Sequence, residues 1–216
     1  MRTGLGADPA HGAVVPPIYL STNYTFESYG QKREFDYSRS GNPTRNTLAG
    51  ALNELEQGAG AVITGSGMGA INLVALALLK ADDLLVAPHD CYGGTYRLFQ
   101  YMAARGSYRV RFVDQGDAEA LAAALAEKPK LVWVETPSNP LTDIADLTEL
   151  AAIAHEHGAL LAIDNSFCTP VLQRPLAFGA DLVVYSATKY LDGQGRVLGG
   201  AICGSAALIE PIYLFL

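Results

Sequence analysis

Two stretches, Ala159-Leu-Leu-Ala-Ile-Asp164 and Asp181-Leu-Val-Val-Tyr-Ser-Ala-Thr-Lys189, decide the fold. Each is a short apolar run that ends in polar residues. A strand with one wet face alternates apolar and polar side chains, whereas a strand covered by helices on both faces reads as an unbroken apolar run. Working outward from this pair, strands are predicted over Ala61–Thr64, Leu84–Ala87, Arg109–Val113, Leu131–Glu135, Leu160–Asp164, Leu182–Ser186 and Gly200–Cys203. Helical spacing fills the gaps at Met68–Lys80, Thr95–Arg105, Ala118–Glu127 and Leu147–His157. Such alternation predicts an α/β fold, a mostly parallel seven-stranded sheet with helices on both faces in a single doubly wound domain.

Ahead of this alternation, residues 1–45 are rich in Gly, Pro, Ser and Tyr and poor in periodicity, which predicts an extended arm. Residues 46–216 are then the α/β domain. Leu48, Leu52 and Leu55 place a helix over Thr44–Gln57, with Thr44 as N-cap and Gly58 as stop. The final Pro211-Ile-Tyr-Leu-Phe-Leu216 is an apolar tail and reads as a chain cut off in mid-fold.

Half of the residues are hydrophobic and 17% are charged, enough apolar material for a substantial core. The net charge of −7 argues against nucleic acid or an anionic membrane as the main partner. The most apolar helix-like run, Leu73–Leu79, is far too short to span a bilayer, and the first residues do not resemble a secretory signal. Cys91, Cys168 and Cys203 form neither a disulfide framework nor a CxxC pair, which fits a cytoplasmic protein. His155 and His157 stand two apart on a predicted helix and make a poor metal pair, so they read as solvated helix-end residues. No metal site is expected.

In parallel sheets ligands gather beyond the carboxyl ends of the strands. Those ends carry Gly65-Ser-Gly-Met68, Pro88-His-Asp-Cys-Tyr92, Glu135-Thr-Pro-Ser-Asn139, Asp164-Asn-Ser166 and Ser186-Ala-Thr-Lys189. Glycines before a helix let an anion approach free N–H groups, although Gly65-Ser-Gly-Met-Gly69 also suits a plain tight turn. It lacks both the Walker ending and the dinucleotide spacing. A lysine alone is usually solvated, but Lys189 stands with two hydroxyl residues beside a strand-end aspartate. That combination suits pyridoxal phosphate: Lys189 for the Schiff base, Ser186 and Thr188 for the phosphate, and Asp164 for the pyridine nitrogen. Ser186 and Thr188 would serve equally as helix caps, and the lesser alternative for Asp164 is a cap on the following turn. Tyr92, beside Gly93 and Gly94, either stacks on a flat ring or sits in a surface loop.

The motifs Tyr37-Ser-Arg-Ser-Gly-Asn-Pro-Thr44, Glu135-Thr-Pro-Ser-Asn-Pro140, Asp164-Asn-Ser-Phe167 and Ser186-Ala-Thr-Lys-Tyr190 resemble, in this order, the pyridoxal-phosphate enzymes of cysteine and methionine metabolism. The resemblance runs from Val14 to about Gly204. It implies the large domain of a type I pyridoxal-phosphate transferase. It also implies that Lys189 is the Schiff-base lysine and proton shuttle, Asp164 the partner of the pyridine nitrogen and Tyr92 the stacking ring. Gly67, Met68, Ser186 and Thr188 would bind the phosphate, and Asn139 the ring hydroxyl. Tyr37 and Arg39 would reach the phosphate of a neighbouring subunit, in a homotetramer whose sites are shared between copies.

Within the family, Ala87–Phe99 and Phe112–Asp117 are most similar to the bacterial enzymes that make cystathionine from O-succinylhomoserine and cysteine. Arg97 would then pair with the distal carboxylate of the succinyl ester, a task suited to its planar fork; its alternative is a helix-surface ion pair. Asp192-Gly-Gln-Gly-Arg196 is more similar to sulfhydrylases that take sulfide, and cystathionine lyases are a further alternative. Family members carry a C-terminal domain that binds the amino-acid carboxylate. Its expected absence here predicts weak cofactor binding and little turnover, or a non-catalytic oligomerising fragment.

Overall fold

A computed structural model describes residues 3–6 and 8–215; Met1, Arg2 and Ala7 of the expected arm, and Leu216 of the expected tail, lie outside the described residues. Seven strands form one sheet: β1 (Gly60–Thr64), β2 (Leu84–Pro88), β3 (Arg109–Val113), β4 (Leu131–Glu135), β5 (Leu160–Asp164), β6 (Leu182–Ser186) and β7 (Gly200–Gly204). Their order is β1-β7-β6-β5-β4-β2-β3. Strands β3, β2, β4, β5 and β6 pair in parallel, and β7 runs antiparallel between β6 and β1.

Alternate side chains of each strand go to opposite faces, because the strand repeat is two residues. Leu131, Trp133, Ala162, Leu182, Val184 and Ile202 meet helices α2 (Gly67–Leu78), α3 (Gly93–Ala104) and α7 (Ala206–Leu214). Val132, Val134, Leu161 and Ile163 face the other way, onto α4 (Ala118–Leu125) and α5 (Leu147–Glu156). On that second face Val183, Tyr185, Ala201 and Cys203 meet α1 (Pro43–Glu56) through Leu52 and Leu55. Trp133 is wholly buried, with Phe99 edge-on at 5.5 Å. Truncating either ring would cost about 3–5 kcal/mol.

Several expectations change. Helix α1 starts inside the expected arm, and its N-cap is Asn42, not Thr44: the Asn42 amide oxygen accepts from Thr44 N and Arg45 N at 2.9 and 3.2 Å. Pro43 fills the first turn, where its missing N–H costs nothing. The helix stops on Gln57 in the left-handed region (φ 58°) rather than on Gly58. The sequence reading also passed over two short elements, α6 (Thr169–Leu172) and a 3-10 turn at Pro175–Phe178, whose prolines and lengths hide any period. The supposed apolar tail is largely α7, with Ile209 and Ile212 buried against the sheet. His155 is not simply solvated, for its Nε2 lies 2.9 Å from Asp181 Oδ2.

Candidate active site

The parallel strands all present their carboxyl ends on one rim. Because β7 is antiparallel, its first residue, Gly200, joins that rim between Ser186 and Thr64. Space there is tight. A Cβ on Gly200 would lie 2.2 Å from the Ser66 carbonyl oxygen, so only glycine lets the β1–α2 loop come down onto the sheet. A Cβ on Gly67 would sit 2.6 Å from Ser186 Cβ and 2.8 Å from Ser186 Cα. These contacts bring the N-terminus of α2 directly against the end of β6.

Between them lies a cleft of about 220 Å³ lined by Gly67, Met68, Tyr92, Asn139, Asp164 and Lys189, with Ser186 and Thr188 at the same wall. Ser66 caps α2, its hydroxyl accepting from Gly69 N at 3.0 Å. The amides of Gly67 and Met68, in the first helical turn, have no intrahelical acceptor to the rear, and with the helix dipole they favour an anion. Ser186 receives no cap role: its amide donates to Ser166 Oγ at 2.7 Å while its hydroxyl borders the cleft. Thr188 does act locally, its Oγ1 accepting from Gly199 N at 3.1 Å and holding the loop between Lys189 and β7.

Asp164 ends β5 at the cleft floor. Its Oδ1 accepts from Ser166 N at 3.0 Å and from Ser166 Oγ at 2.5 Å, so it does tie the following turn. Burial pushes its carboxyl above the usual range, and the two Ser166 hydrogen bonds offset only part of that. Among the described residues no ion pair reaches it. A buried carboxylate that faces a cleft and has no ion-pair partner among the described residues calls for a positively charged N–H donor in the ligand. A flat heteroaromatic ring with a protonated nitrogen, carrying an anionic group toward α2, answers both demands. Pyridoxal phosphate has that shape and charge pattern.

Tyr92 is the N-cap residue of α3 and 47% exposed. Its ring lies against Gly94, where a Cβ would come within 2.4 Å of Tyr92 Cε1. Lys189 is exposed at the cleft, with its amide bonded to the Ser186 carbonyl at 3.2 Å. Arg97 is not in the cleft itself but lines an adjoining shallow groove with Met68, Tyr92 and Tyr101, and among the described residues it makes no ion pair. Tyr37 and Arg39 are not brought to the cleft of their own chain. They are exposed on the arm, with the Arg39 guanidinium 5.2 Å from the Tyr37 ring centre.

Sequence reasoning placed Glu135 on the rim without assigning it a task. It lines the cleft, is 8% exposed, and accepts from Tyr92 N at 2.9 Å through Oε2. The clue was a carboxylate closing the all-apolar run Leu131–Val134. Glu56 was missed altogether. It is 1% exposed and accepts a hydrogen bond from the Tyr185 hydroxyl, which in turn accepts from Asn165 Nδ2 at 2.8 Å. Asn165 and Tyr185 directly neighbour Asp164 and Ser186, so this buried chain ties α1 to both walls of the cleft. Nothing in a single sequence pairs residues 129 positions apart.

The relatives of this chain agree with the geometry. It is 58% identical over 202 residues to cystathionine gamma-synthase of Escherichia coli (strain K12), covering 94% of this chain and 52% of that protein. It is 45% identical over 201 residues to a cystathionine gamma-synthase/O-acetylhomoserine (thiol)-lyase of Bacillus subtilis (strain 168), covering 93% and 54%. Cystathionine gamma synthase of Xanthomonas oryzae pv. oryzae, solved in complex with aminoacrylate and cysteine, superposes with a TM-score of 0.98 at 52% identity, over 99% of this chain and 56% of that one. The chain thus spans about half the length of the relatives it matches. The family model described as Cys/Met metabolism PLP-dependent enzyme matches residues 1–215. A cleft that asks for a cationic ring nitrogen and an anion, in a chain matched almost end to end, places this protein in the Cys/Met metabolism family of pyridoxal-phosphate-dependent enzymes.

Proposed function

We propose that this chain forms the cofactor-holding part of a transferase that joins a sulfur nucleophile to the γ-carbon of an activated homoserine, with cysteine as donor and cystathionine as product. The observation that carries the reading is the meeting of Lys189, Asp164, Tyr92 and the α2 N-terminus around one cleft. Pyridoxal phosphate, when bound, supplies a carbonyl for covalent attachment and an electron-withdrawing ring that acidifies the substrate's Cα–H.

The protein's own groups divide the remaining tasks. Lys189 Nζ is the attachment point and the base that takes the Cα proton and returns a proton along the substrate. Asp164 keeps a proton on the ring nitrogen. The Gly67 and Met68 amides, with Ser186 Oγ, bind the phosphate, and Thr188 fixes the loop that carries Lys189. Asn139 meets the ring hydroxyl and Tyr92 covers the ring face. Tyr37 and Arg39 complete the phosphate site of a second copy, which gives the exposed arm its role in a homo-oligomer. Arg97 binds the far carboxylate of O-succinylhomoserine, a role supported by its place in the adjoining groove and by the lack of an ion-pair partner among the described residues. A cytoplasmic setting and residues 1–45 as an inter-subunit arm belong to the same reading. Among the described residues, no helix is long and apolar enough to cross a membrane.

The test is borohydride reduction of the protein incubated with pyridoxal phosphate, followed by peptide mass mapping. The added mass should fall on Lys189 and vanish in Lys189→Ala; labelling elsewhere, or none, refutes the site. Offering O-succinylhomoserine with cysteine or sulfide in separate reactions then identifies the donor. Product formed without any added thiol would replace the transferase reading with a lyase.

A further inference from the structure

Two carboxylates line the cleft, Asp164 and Glu135, and the reaction outlined above uses only the first. They close neighbouring parallel strands in register, Glu135 opposite Asp164. Glu135 is 8% exposed, and among the described residues no lysine, arginine or histidine pairs with it. Two main-chain donors act on it: an amide on another element, that of Tyr92, 2.9 Å from Oε2 and 43 residues away in sequence, and the main chain of Asn139 in its own loop.

That amide matters because of what Tyr92 lacks. Tyr92 stands at the N-cap of α3, yet its side chain makes no capping hydrogen bond, and its ring is 47% exposed. Gly93 and Gly94 follow immediately, so the main chain here has little side-chain packing to hold it. Cys91 is buried on one side, and on the other the Tyr96 amide returns to the Tyr92 carbonyl, at 3.0 Å. The main chain that carries the ring is thus tied to the strand end of β4, while the ring itself rests on Gly94.

We propose that Glu135 is a positioning residue for the cofactor: by anchoring the Tyr92 main chain from the end of β4, it holds the tyrosine ring over the cleft. The inference rests on the cofactor reading given above. Burial, and then the negative charges of Asp164 and Asp90, push the Glu135 carboxyl up to about 8. Neutral or ionised, the carboxyl offers an acceptor oxygen to the Tyr92 amide.

The proposal separates acceptor from charge, and two kinds of variant test it. Glu135→Gln keeps an acceptor oxygen and the shape. Glu135→Met keeps the volume without a comparable acceptor, and Glu135→Ala serves if the methionine chain does not fold. Amide exchange at Tyr92, read by NMR on the cofactor-free chain, should quicken by ~10-fold in the Met or Ala variant, the size of one lost hydrogen bond, and stay near wild type in the Gln variant. With pyridoxal phosphate added, the visible circular dichroism band should shrink and the dissociation constant rise by ~10-fold in the Met or Ala variant only. Unchanged exchange, or a normal band and affinity without the acceptor, overturns the inference alone. Equal damage in the Gln variant overturns it too, by making the ionisable group rather than the acceptor responsible. A wild-type chain that takes up no pyridoxal phosphate overturns the cofactor reading and this inference together.

Discussion

Replacing Glu56 by glutamine should change how the stability of this chain depends on pH, and the size of the change can be worked out. Glu56 is almost fully buried, accepts from the Tyr185 hydroxyl through Oε1, and among the described residues leaves Oε2 without a hydrogen-bond partner. Burial pushes its carboxyl from the ordinary 4.5 up to about 7, with the Arg174 charge opposing. The folded chain therefore holds this proton up to about pH 7, whereas the unfolded chain releases it near 4.5. Between those values the folded state binds more protons, so stability falls as pH rises. The contribution is complete below 4.5 and gone once pH passes about 7.

At ~1.4 kcal/mol for each tenfold change in proton affinity, the full span is worth ~3 kcal/mol. Water entry and side-chain rearrangement around an ionised Glu56 screen this to ~2 kcal/mol. Glu135 titrates in the same direction, toward about 8, so the wild-type curve alone does not isolate Glu56. Comparison with Glu56→Gln does, because glutamine keeps the acceptor for Tyr185 and cannot ionise. Urea unfolding at about pH 5 and about pH 8 should show the wild type losing ~2 kcal/mol more than the variant between the two conditions. In a thermal melt the same difference amounts to ~4–8 °C for a chain of this size. Parallel pH profiles for the two proteins would refute the reasoning, since Glu56 would then be ionised or solvated alike in both states.

Two further outcomes follow from the cleft. Asp164→Asn removes a carboxylate that burial disfavours, so the cofactor-free chain should melt no lower than wild type. Its uptake of pyridoxal phosphate, followed by visible absorbance, should weaken by at least ~10-fold, and unaltered uptake would show that Asp164 does not meet the ring nitrogen. Gly67→Ala should destabilise by ~1–3 kcal/mol, because the new methyl meets Ser186 Cα and Cβ at 2.8 and 2.6 Å and main chain cannot step aside. Alanine's better helix propensity, worth ~1 kcal/mol, acts the other way, so a higher melting temperature would mean that the α2 terminus is free to move.

The central strands were legible because a strand buried on both faces leaves an unbroken apolar run that no neighbour in sequence disguises. Leu131–Glu135, Leu160–Asp164 and Leu182–Ser186 have the observed bounds to the residue. Helix ends were less legible. Asn42 caps α1 in place of Thr44, since either residue type can cap and the choice depends on which one leaves the helical conformation first. Helix α7 read as a bare tail because its apolar face is defined by the β1, β7 and α2 surfaces on which Ile209 and Ile212 rest.

The candidate site divides in the same way. Sequence alone determined which residue types stand at the strand ends, and therefore that a lysine, an aspartate, hydroxyls and a glycine turn share one rim. The alternation of strands and helices is a local consequence of hydrophobic pattern, and in a parallel sheet it aligns every carboxyl end. Tertiary structure alone decided how closely those ends approach, and what stands behind them. The fit of Gly67 against Ser186 and of Gly200 against Ser66 comes from the antiparallel insertion of β7. The Glu135 bond to Tyr92 and the Glu56–Tyr185–Asn165 chain join residues far apart in sequence. Hydrogen bonds and desolvation act through distances in space, and those distances exist only once the sheet has closed.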